Sequence, residues 1–235
     1  MKIMAAGLSD KGNYREVNQD NFKIIILNDH LSIFAVADGI GGLDAGEIAS
    51  SIAISSVVKW AKFGELGKCS LNDEIEDLIK KIHQDIRLYG RGQGLILGTT
   101  LTLLLFLNDD LWIVQVGDSK AFYFRKGVEG KILTTNHSVF VPEKGRSYLS
   151  SCLGGRSSRF LVQIEPMPIT EPGYFLLGSD GAFNRLNLME LKKILFGFSI
   201  FQKRMQPEEI CQRIISMCRQ QGEKDNITII AIEVR

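Results

Sequence analysis

Strand-length apolar runs separated by turn residues occupy the first half of the chain and its C-terminal end. The predicted strands are residues 22–27, 31–37, 99–107, 111–116, 121–124, 161–164, 174–177 and 227–234. Asn, Asp and His at 28–30, and Asn-Asp-Asp at 108–110, interrupt the first two pairs of runs. Such short polar breaks between apolar runs predict two β-hairpins, with residues 121–124 continuing the second as a meander.

Three other segments carry apolar residues at spacings of three and four, which predicts amphipathic helices. They cover residues 48–60, 75–89 and 207–218. Pro207 suits the first turn of the last helix, and Gly222 is a typical residue just beyond a helix end. Because the strands come in meanders and do not alternate with helices, the pattern favours an α+β fold with antiparallel sheets.

Between residues 135 and 160 the sequence turns polar and rich in Ser, Gly and Pro. Its charges are Lys144, Arg146, Arg156 and Arg159 against Glu143. A long segment without a clear period is typical of a functional or mobile loop, and the simpler reading is a solvated surface loop.

Composition narrows the class of protein. The 235 residues carry 28 Lys and Arg against 27 Asp and Glu, a net charge of +1, and this argues against a protein that coats nucleic acid or a membrane surface. Hydrophobic residues make up 45%, which fits one globular domain over residues 1–235. The longest charge-free stretch, residues 92–108, is interrupted by Gly and Thr and reads as paired strands.

The cysteines and the N-terminus favour a cytoplasmic protein. The N-terminal residues lack an apolar stretch of signal-peptide length. The cysteines form no CxxC pair and show no metal-ligand spacing, so reduced thiols are expected. They are Cys69, Cys152, Cys211 and Cys218.

Aspartates stand at the ends of several apolar runs. They are Asp20, Asp38, Asp118, Asp180 and Asp225. Any single one is typical of turn chemistry, because Asp hydrogen-bonds its own backbone there. In antiparallel sheets, however, the end of one strand lies beside the start of the next, so all five side chains can meet at one rim.

Simple register arithmetic supports that meeting for one pair. If the first hairpin is symmetric about Asp29, Asp20 lies opposite Asp38. If the second is symmetric between Asp109 and Asp110, Asp118 lies beside Leu101. Both registers are hypotheses, because a one-residue slip moves every side chain to the other face.

Carboxylates packed at one rim repel each other unless cations neutralise them. The candidate ligands are oxygens, without clustered His or Cys, and this donor set selects Mg²⁺ or Mn²⁺ over Zn²⁺ or Cu²⁺. Gly39 and Gly181 would let the backbone approach an ion closely, and the Gly39 carbonyl is itself a candidate ligand.

Seven segments, in order along nearly the whole chain, resemble the motifs of the metal-dependent Ser/Thr protein phosphatases (the PPM, or type 2C, family). They are GNYREVNQD (12–20), VADGIGGLDAGE (36–47), GTTLT (98–102), VGDSKAFYFRKG (116–127), LTTNHS (133–138), LLGSDGAFNRL (176–186) and KDNITII (224–230). One such motif would be a weak signal, but seven in the right order are a specific one.

The resemblance implies a four-layer α-β-β-α sandwich, with two antiparallel β-sheets flanked by helix pairs. It also implies a two-ion Mg²⁺ or Mn²⁺ centre, and the segment at about 135–160 resembles a shortened form of the family's flap. By position, Asp38 resembles the ligand that bridges both ions. Asp180 and Asp225 resemble the other ligands of the first ion, the Gly39 carbonyl a ligand of the second, and Asp20 the residue that holds a metal-bound water.

Two further residues match the family by position. Asp118 with Asp180 resembles a third-metal site, and Arg15 matches the arginine that grips the substrate phosphate. The implied reaction is hydrolysis of phosphoserine or phosphothreonine in phosphoproteins, by in-line attack of a metal-bridged water on phosphorus. The implied protein is a cytoplasmic monomer that reverses a cognate Ser/Thr kinase, with no nucleic acid or membrane partner.

Four positions depart from the family pattern. Gln19 replaces a frequent Glu that orients water on the second ion, and Ile40 stands where many members carry a His thought to protonate the leaving group. Lys120 replaces an Arg, and Asn136 stands where an Asp usually precedes His137.

Other functional classes match the sequence less well. A cysteine phosphatase requires CxxxxxR, and none of the four cysteines is followed by Arg at that spacing. A catalytically weak phosphoprotein-binding regulatory module of the same fold is the alternative, with small phosphate esters as a lesser one. The histidines are scattered: His30 is expected in a turn, His83 on a helix surface and His137 as local scaffolding.

Overall fold

The computed structural model describes residues 1–40, 45–64, 70–197 and 205–235. Its strands are β1 (Ile3–Asp10), β2 (Asp20–Asn28), β3 (Leu31–Asp38), β4 (Gly98–Thr99), β5 (Leu101–Leu107), β6 (Asp110–Val116), β7 (Lys120–Phe124), β8 (Lys131–Ile132), β9 (Ser138–Val141), β10 (Arg146–Leu149), β11 (Leu153–Gly154), β12 (Gln163–Pro168), β13 (Gly173–Gly178) and β14 (Ile227–Val234). Its helices are α1 (Gly46–Phe63), α2 (Leu71–Gln93), α3 (Asp180–Phe183), α4 (Leu188–Phe196) and α5 (Pro207–Gln220).

Two five-stranded antiparallel sheets form the centre of the described structure. One has the strand order β1-β14-β13-β7-β8, and the other has the order β12-β6-β5-β3-β2. Two small ladders, β9 with β10 and β4 with β11, complete the pairing. Every strand pair in both sheets is antiparallel, as the meander pattern predicts.

Three hydrophobic clusters fill the spaces between four layers. Helices α1 and α2 pack on one face of the β2–β3–β5–β6 sheet, and α3, α4 and α5 pack on the outer face of the other. Between the sheets, Phe106 meets the rings of Phe34 and Phe175 edge to face, at 5.5 and 5.3 Å between ring centroids. The expected four-layer α-β-β-α fold is confirmed.

Burial on both faces explains why the central strands show apolar runs without alternation. In β3, Ile33 and Ala35 face the helices, while Phe34 and Val36 face the other sheet. Both sets are fully buried.

The first hairpin has the predicted register, and Asp20 pairs with Asp38 at its open end. A bulge near Asn28 shifts the register only at the turn. The predicted register of the second hairpin is wrong by two residues, because Leu107 pairs with Asp110 and Leu101 with Val116.

The cause of that shift is the turn. Asn108 adopts a left-handed conformation with φ 55°, which Asn tolerates, and the loop closes with two residues. A slip of two residues keeps each side chain on its predicted face. Asp118 therefore lies beyond the paired part of β6, and it is not beside Leu101.

Several elements differ from the predicted ones. β1, α3 and α4 were not predicted, and β12 begins two residues after the predicted strand and continues to Pro168. Residues 135–160 contain the β9–β10 hairpin and β11, where one loop was expected. Helix α4 begins with a capping box formed by Asn187 and Glu190, a local signal that the apolar period missed.

The histidines and cysteines also have defined places. His83 is not on a helix surface: it is buried, accepts a hydrogen bond from the Gly154 N–H and packs 4.8 Å from the Phe160 ring. The Sγ atoms of Cys152, Cys211 and Cys218 are free thiols. Cys69 and residues 41–44 of the second motif lie outside the described residues.

Among the described helices, none has the length and apolar character needed to span a bilayer.

Candidate metal centre

The ends of four strands bring four of the five predicted aspartates to one rim. Asp20 and Asp38 face each other at the open end of the β2–β3 hairpin. Asp180 follows β13 and Asp225 precedes β14, and these strands are antiparallel neighbours with Gly178 opposite Ile229. Both sheets therefore place carboxylates at the same end of the sandwich.

Ser179 connects the two sheets at this end. Its fully buried hydroxyl donates to Asp20 Oδ2 at 2.7 Å and accepts a hydrogen bond from the Thr228 N–H at 3.1 Å. Sequence reasoning missed this residue, although its place immediately before Asp180 in the GSDG segment could have drawn attention to it.

The five carboxyl groups lie close enough to repel each other. All five residues remain partly open to solvent. Protein nevertheless surrounds the carboxyl of Asp38, and this desolvation raises its pKa well above the ordinary value. The charges of the other four aspartates raise the pKa of Asp38 further.

Desolvation also dominates at the neighbouring carboxyls. It raises the pKa of Asp20 to about 6, against the opposing effect of hydrogen bonds from Ser179 and Thr228. It raises the pKa of Asp180 to about 7, with further contributions from the charges of Asp118 and Asp225. The pKa of Asp118 is raised in the same way.

Two cationic side chains act on this cluster. Arg15 donates from Nη2 to Asp225 Oδ2 at 2.7 Å, and this hydrogen bond raises the pKa of the guanidinium. The charge of Lys120 lowers the pKa of Asp118, against the larger effect of burial. The side chain of Arg15 is 41% exposed, so the guanidinium lies where the rim opens to solvent.

Threonines of the GTTLT segment hold the backbone of Asp38. The Asp38 N–H donates to Thr100 Oγ1 at 2.9 Å, and the Asp38 carbonyl accepts from the Thr99 hydroxyl at 2.9 Å. These buried bonds fix the direction in which the strand end presents its carboxylate.

Asn226 holds the loop that carries Arg15. Its amide nitrogen donates to the carbonyls of Lys11 at 2.9 Å and Val17 at 3.1 Å, and its oxygen accepts from the Gln19 N–H at 2.9 Å. Asn226 is almost fully buried, and sequence reasoning gave it no role of its own.

The two glycines singled out in the sequence are required by close backbone contact. A Cβ on Gly39 would lie 2.4 Å from the Gly46 carbonyl oxygen, and one on Gly181 would lie 2.1 Å from the Asn226 carbonyl oxygen. Each contact is too short for any side chain to be accommodated. Whether the Gly39 carbonyl is a ligand stays a prediction.

The departures from the family pattern have local partners. Gln19 donates to the Glu47 carboxylate at 3.2 Å, which places a further carboxylate beside β2 that the sequence reading did not select. Asn136 accepts a hydrogen bond from the Ser138 hydroxyl at 2.9 Å. His137 is buried, and its Nδ1 accepts from the Gly117 N–H at 3.2 Å, as expected for scaffolding.

The donor set fits a hard divalent cation. In residues 1–40, 45–64, 70–197 and 205–235, no three His, Cys, Asp or Glu side chains are arranged to hold a metal ion together as they stand. The rim nevertheless gathers carboxylate oxygens whose mutual repulsion and desolvation raise their pKa values. A divalent cation would relieve that repulsion, and oxygen is the donor that Mg²⁺ and Mn²⁺ prefer.

Comparisons with known proteins show the family and the fold of this chain. The family model described as protein phosphatase 2C matches residues 13–219. The chain is 26% identical over 245 residues to the serine/threonine phosphatase stp of Listeria monocytogenes serovar 1/2a, covering 96% of this chain and 93% of that protein. It is 25% identical over 242 residues to protein phosphatase PhpP of Streptococcus pneumoniae, covering 97% and 96%. The crystal structure of the serine/threonine phosphatase Stp1 from Staphylococcus aureus shares the fold, with a TM-score of 0.86 at 21% identity over 100% of this chain and 96% of that one.

Proposed function

Because this chain belongs to the protein phosphatase 2C family, we propose that the rim of aspartates is the catalytic centre of a metal-dependent serine/threonine phosphatase. The chain is a protein serine/threonine phosphatase, as the family and its named relatives show. The same relatives favour turnover over the alternative of a regulatory module without activity. The observation that carries the site assignment is the meeting of five carboxylates from both sheets at one end of the sandwich.

The proposal assigns a role to each group at the rim. Asp38 lies at the centre of the mutual repulsion and would contact two ions. Asp180 and Asp225 would complete the coordination of the first ion. The Gly39 carbonyl would be a ligand of the second ion, and Asp20 would hold a water molecule beside the ions.

A third ion would use Asp118 with Asp180, whose charges interact. The centre would hold two Mg²⁺ or Mn²⁺ ions, with a third at this position. When bound, they supply Lewis-acid chemistry that lowers the pKa of water and neutralises phosphoryl oxygens.

Arg15 is proposed to bind the substrate phosphate. Its planar guanidinium matches two phosphate oxygens, and its permanent charge does not depend on pH. The residue lies at the exposed side of the rim, paired with Asp225, so a phosphoryl group entering from solvent would meet it there.

The cellular setting is also proposed. The substrates are phosphoserine and phosphothreonine in phosphoproteins, including a cognate Ser/Thr kinase or its targets. Buried thiols at Cys211 and Cys218 support a reducing compartment, the cytoplasm. A monomer is sufficient for the proposed metal centre, because one chain contributes every proposed ligand. Sedimentation velocity tests whether the protein is a monomer.

The decisive experiment is a metal titration of hydrolysis by EDTA-treated protein. We expect Mn²⁺ or Mg²⁺ to restore hydrolysis of an aryl phosphate and of phosphoserine and phosphothreonine peptides. Asp38→Asn should lower kcat at least about a hundredfold, because a central ligand is lost. Arg15→Ala should raise KM about tenfold or more while Mn²⁺ binding persists, because charge-assisted hydrogen bonds to the phosphate are lost.

Three results would contradict these assignments. Equal turnover by metal-free and metal-loaded protein would overturn the metal centre. Loss of Mn²⁺ binding in Arg15→Ala would assign that residue to the metal centre and not to the phosphate. Tight binding of phosphopeptides without turnover, with metal bound, would instead identify the regulatory module.

A further inference from the structure

A buried glutamine beside the rim is hydrogen-bonded on every side. Gln115 lies on β6 with no exposed surface. Its amide nitrogen donates to the carbonyl oxygens of Gly117 and Ser119, each at 2.8 Å. These two residues flank Asp118, so the side chain of Gln115 clamps the short segment that carries this carboxylate.

The other end of the amide is also engaged. The Thr102 hydroxyl on the neighbouring strand β5 donates to Gln115 Oε1. This position thus requires a long side chain that ends in a nitrogen with two N–H donors and an oxygen acceptor beside it. Glutamine meets that requirement, whereas a carboxylate lacks the donors and methionine lacks both functions.

The same network reaches the centre of the rim. The hydroxyls of Ser119 and Thr100 are hydrogen-bonded at 2.9 Å, and Thr100 Oγ1 accepts the Asp38 N–H at 2.9 Å. Buried polar groups therefore link the backbone at Asp118 to the backbone at Asp38.

Steric contact fixes the segment further. Gly117 has a φ of +112°, and a Cβ there would lie 2.5 Å from Thr100 Cγ2. His137 completes the support, because its backbone N–H donates to the Gly117 carbonyl at 3.0 Å. The segment around Asp118 is thus pressed against Thr100 on one side and held by Gln115 on another.

We propose that Gln115 is a positioning residue of the metal centre, which holds Asp118 in place for a cation and couples it through Ser119 and Thr100 to Asp38. This inference rests on the proposed function. Residues that orient metal ligands from behind typically change metal affinity or activity about 10–100-fold when they are mutated.

A pair of buried glutamines on adjacent strands provides a matched test. Gln163 on β12 lies opposite Gln115 on β6, is also buried, and bonds its amide to the backbone of Leu133 and Thr135. Replacing either residue by Met keeps length and removes two or more buried hydrogen bonds, but Gln115→Met alone frees the segment at Asp118.

The experiment measures Mn²⁺ binding by the EPR signal of free Mn²⁺, the melting temperature in EDTA and in Mn²⁺, and kcat against Mn²⁺ concentration. We expect Gln115→Met to raise the half-saturating Mn²⁺ concentration of one binding step about tenfold or more. Gln163→Met should lower the melting temperature in EDTA while its Mn²⁺ midpoint stays within twofold of wild type.

A second variant covers the case in which Gln115→Met does not fold. Thr102→Val leaves Gln115 in place but removes the donor to its oxygen, and should weaken the same Mn²⁺ step by a smaller factor. If the foldable Gln115 and Thr102 variants keep the wild-type midpoint, or shift it no more than Gln163→Met does, Gln115 is only structural and the inference is wrong.

The Mn²⁺ binding curve of the wild-type protein distinguishes failure of this inference from failure of the proposed function. Wild-type protein that binds no Mn²⁺ overturns the proposed metal centre, and the role of Gln115 falls with it. Wild-type protein that binds Mn²⁺, with unaltered binding in Gln115→Met, overturns the positioning role and leaves the proposed function intact.

Discussion

Desolvation governs the chemistry of the individual carboxyl groups at the rim. The pKa of Asp180 is raised to about 7 and that of Asp20 to about 6, chiefly because protein surrounds them. Near neutral pH and without a cation, the carboxyl of Asp180 is therefore poised between the protonated and the ionised form, whereas that of Asp20 is mostly ionised. A divalent cation would hold them ionised, so metal binding is expected to release protons.

The raised pKa of Asp180 has a consequence for stability. A carboxyl whose pKa is higher in the folded state binds its proton more tightly there, so it stabilises the fold at low pH. That contribution is lost progressively as pH rises from the ordinary carboxyl value of 3.8 to about 7. Asp180→Asn carries a neutral amide that does not titrate.

We therefore expect the metal-free Asp180→Asn variant to be close to wild type in free energy of unfolding near pH 4. It should become increasingly more stable than wild type as pH rises to about 7, and the difference should then stay constant to pH 8. Urea unfolding in EDTA at several pH values measures this difference. Asp77→Asn, at an exposed site on α2, is the control and should show no such trend. A constant difference across the pH range would contradict the assignment of a raised pKa to Asp180.

At the scale of elements, the site depends on loops tied to strand ends. The loop before β2 carries Arg15 and has little regular structure of its own. Asn226 holds this loop through three backbone groups, and Arg219 on α5 adds hydrogen bonds to Asn13 at 3.2 and 2.8 Å. The position of Arg15 is therefore set by residues more than 200 positions away in sequence.

Asn226→Asp tests this tether. The aspartate keeps the acceptor for the Gln19 N–H but loses both donors and places a carboxylate against two carbonyl oxygens. We expect a loss of about 1–3 kcal/mol in the free energy of unfolding and a lower kcat/KM, because buried acceptors lose their partners and the Arg15 loop is released. Urea unfolding and phosphatase kinetics measure the two effects.

A matched exchange elsewhere isolates the tether. In Asn28→Asp, the bond from the His30 N–H persists, because a carboxylate oxygen accepts it equally well. This control should retain wild-type kcat/KM. If Asn226→Asp retains wild-type kcat/KM as well, the tether does not control the placement of Arg15.

At the scale of the whole molecule, the contact between the two sheets holds the rim together. Asp20 and Asp38 belong to one sheet, whereas Asp180 and Asp225 are next to strands of the other. The cluster of Phe34, Phe106 and Phe175 lies between these sheets. The alignment of the carboxylates thus depends on the packing of the core between the sheets.

Phe106→Ala should lower the free energy of unfolding by about 3–5 kcal/mol, because it leaves a cavity between the sheets. Phe63→Ala, at a residue that is 80% exposed, is the control and should change stability by less than about 0.5 kcal/mol. Urea unfolding followed by circular dichroism measures both. A small effect of Phe106→Ala would mean that the sheets are held together mainly by other contacts.

The division between what local pattern predicts and what it misses is visible in particular residues. The register that brings Asp20 opposite Asp38 followed from the symmetry of one turn. The second hairpin escaped the same arithmetic, because a left-handed Asn108 shortened its loop. β1 escaped because Ala5, Ala6 and Gly7 separate its larger apolar residues, and its ladder with β14 depends on the far end of the chain.

The sequence alone predicts the strands with a clear apolar run, the fold class and the aspartates at either end of those strands. These depend on periodicity and on turn chemistry, which act between neighbours. Folding in three dimensions alone decided the pairing of Arg15 with Asp225, the burial of His83 and the clamps formed by Asn226 and Gln115. Such contacts join groups that only sheet and helix packing brings within hydrogen-bond distance, so no local pattern encodes them.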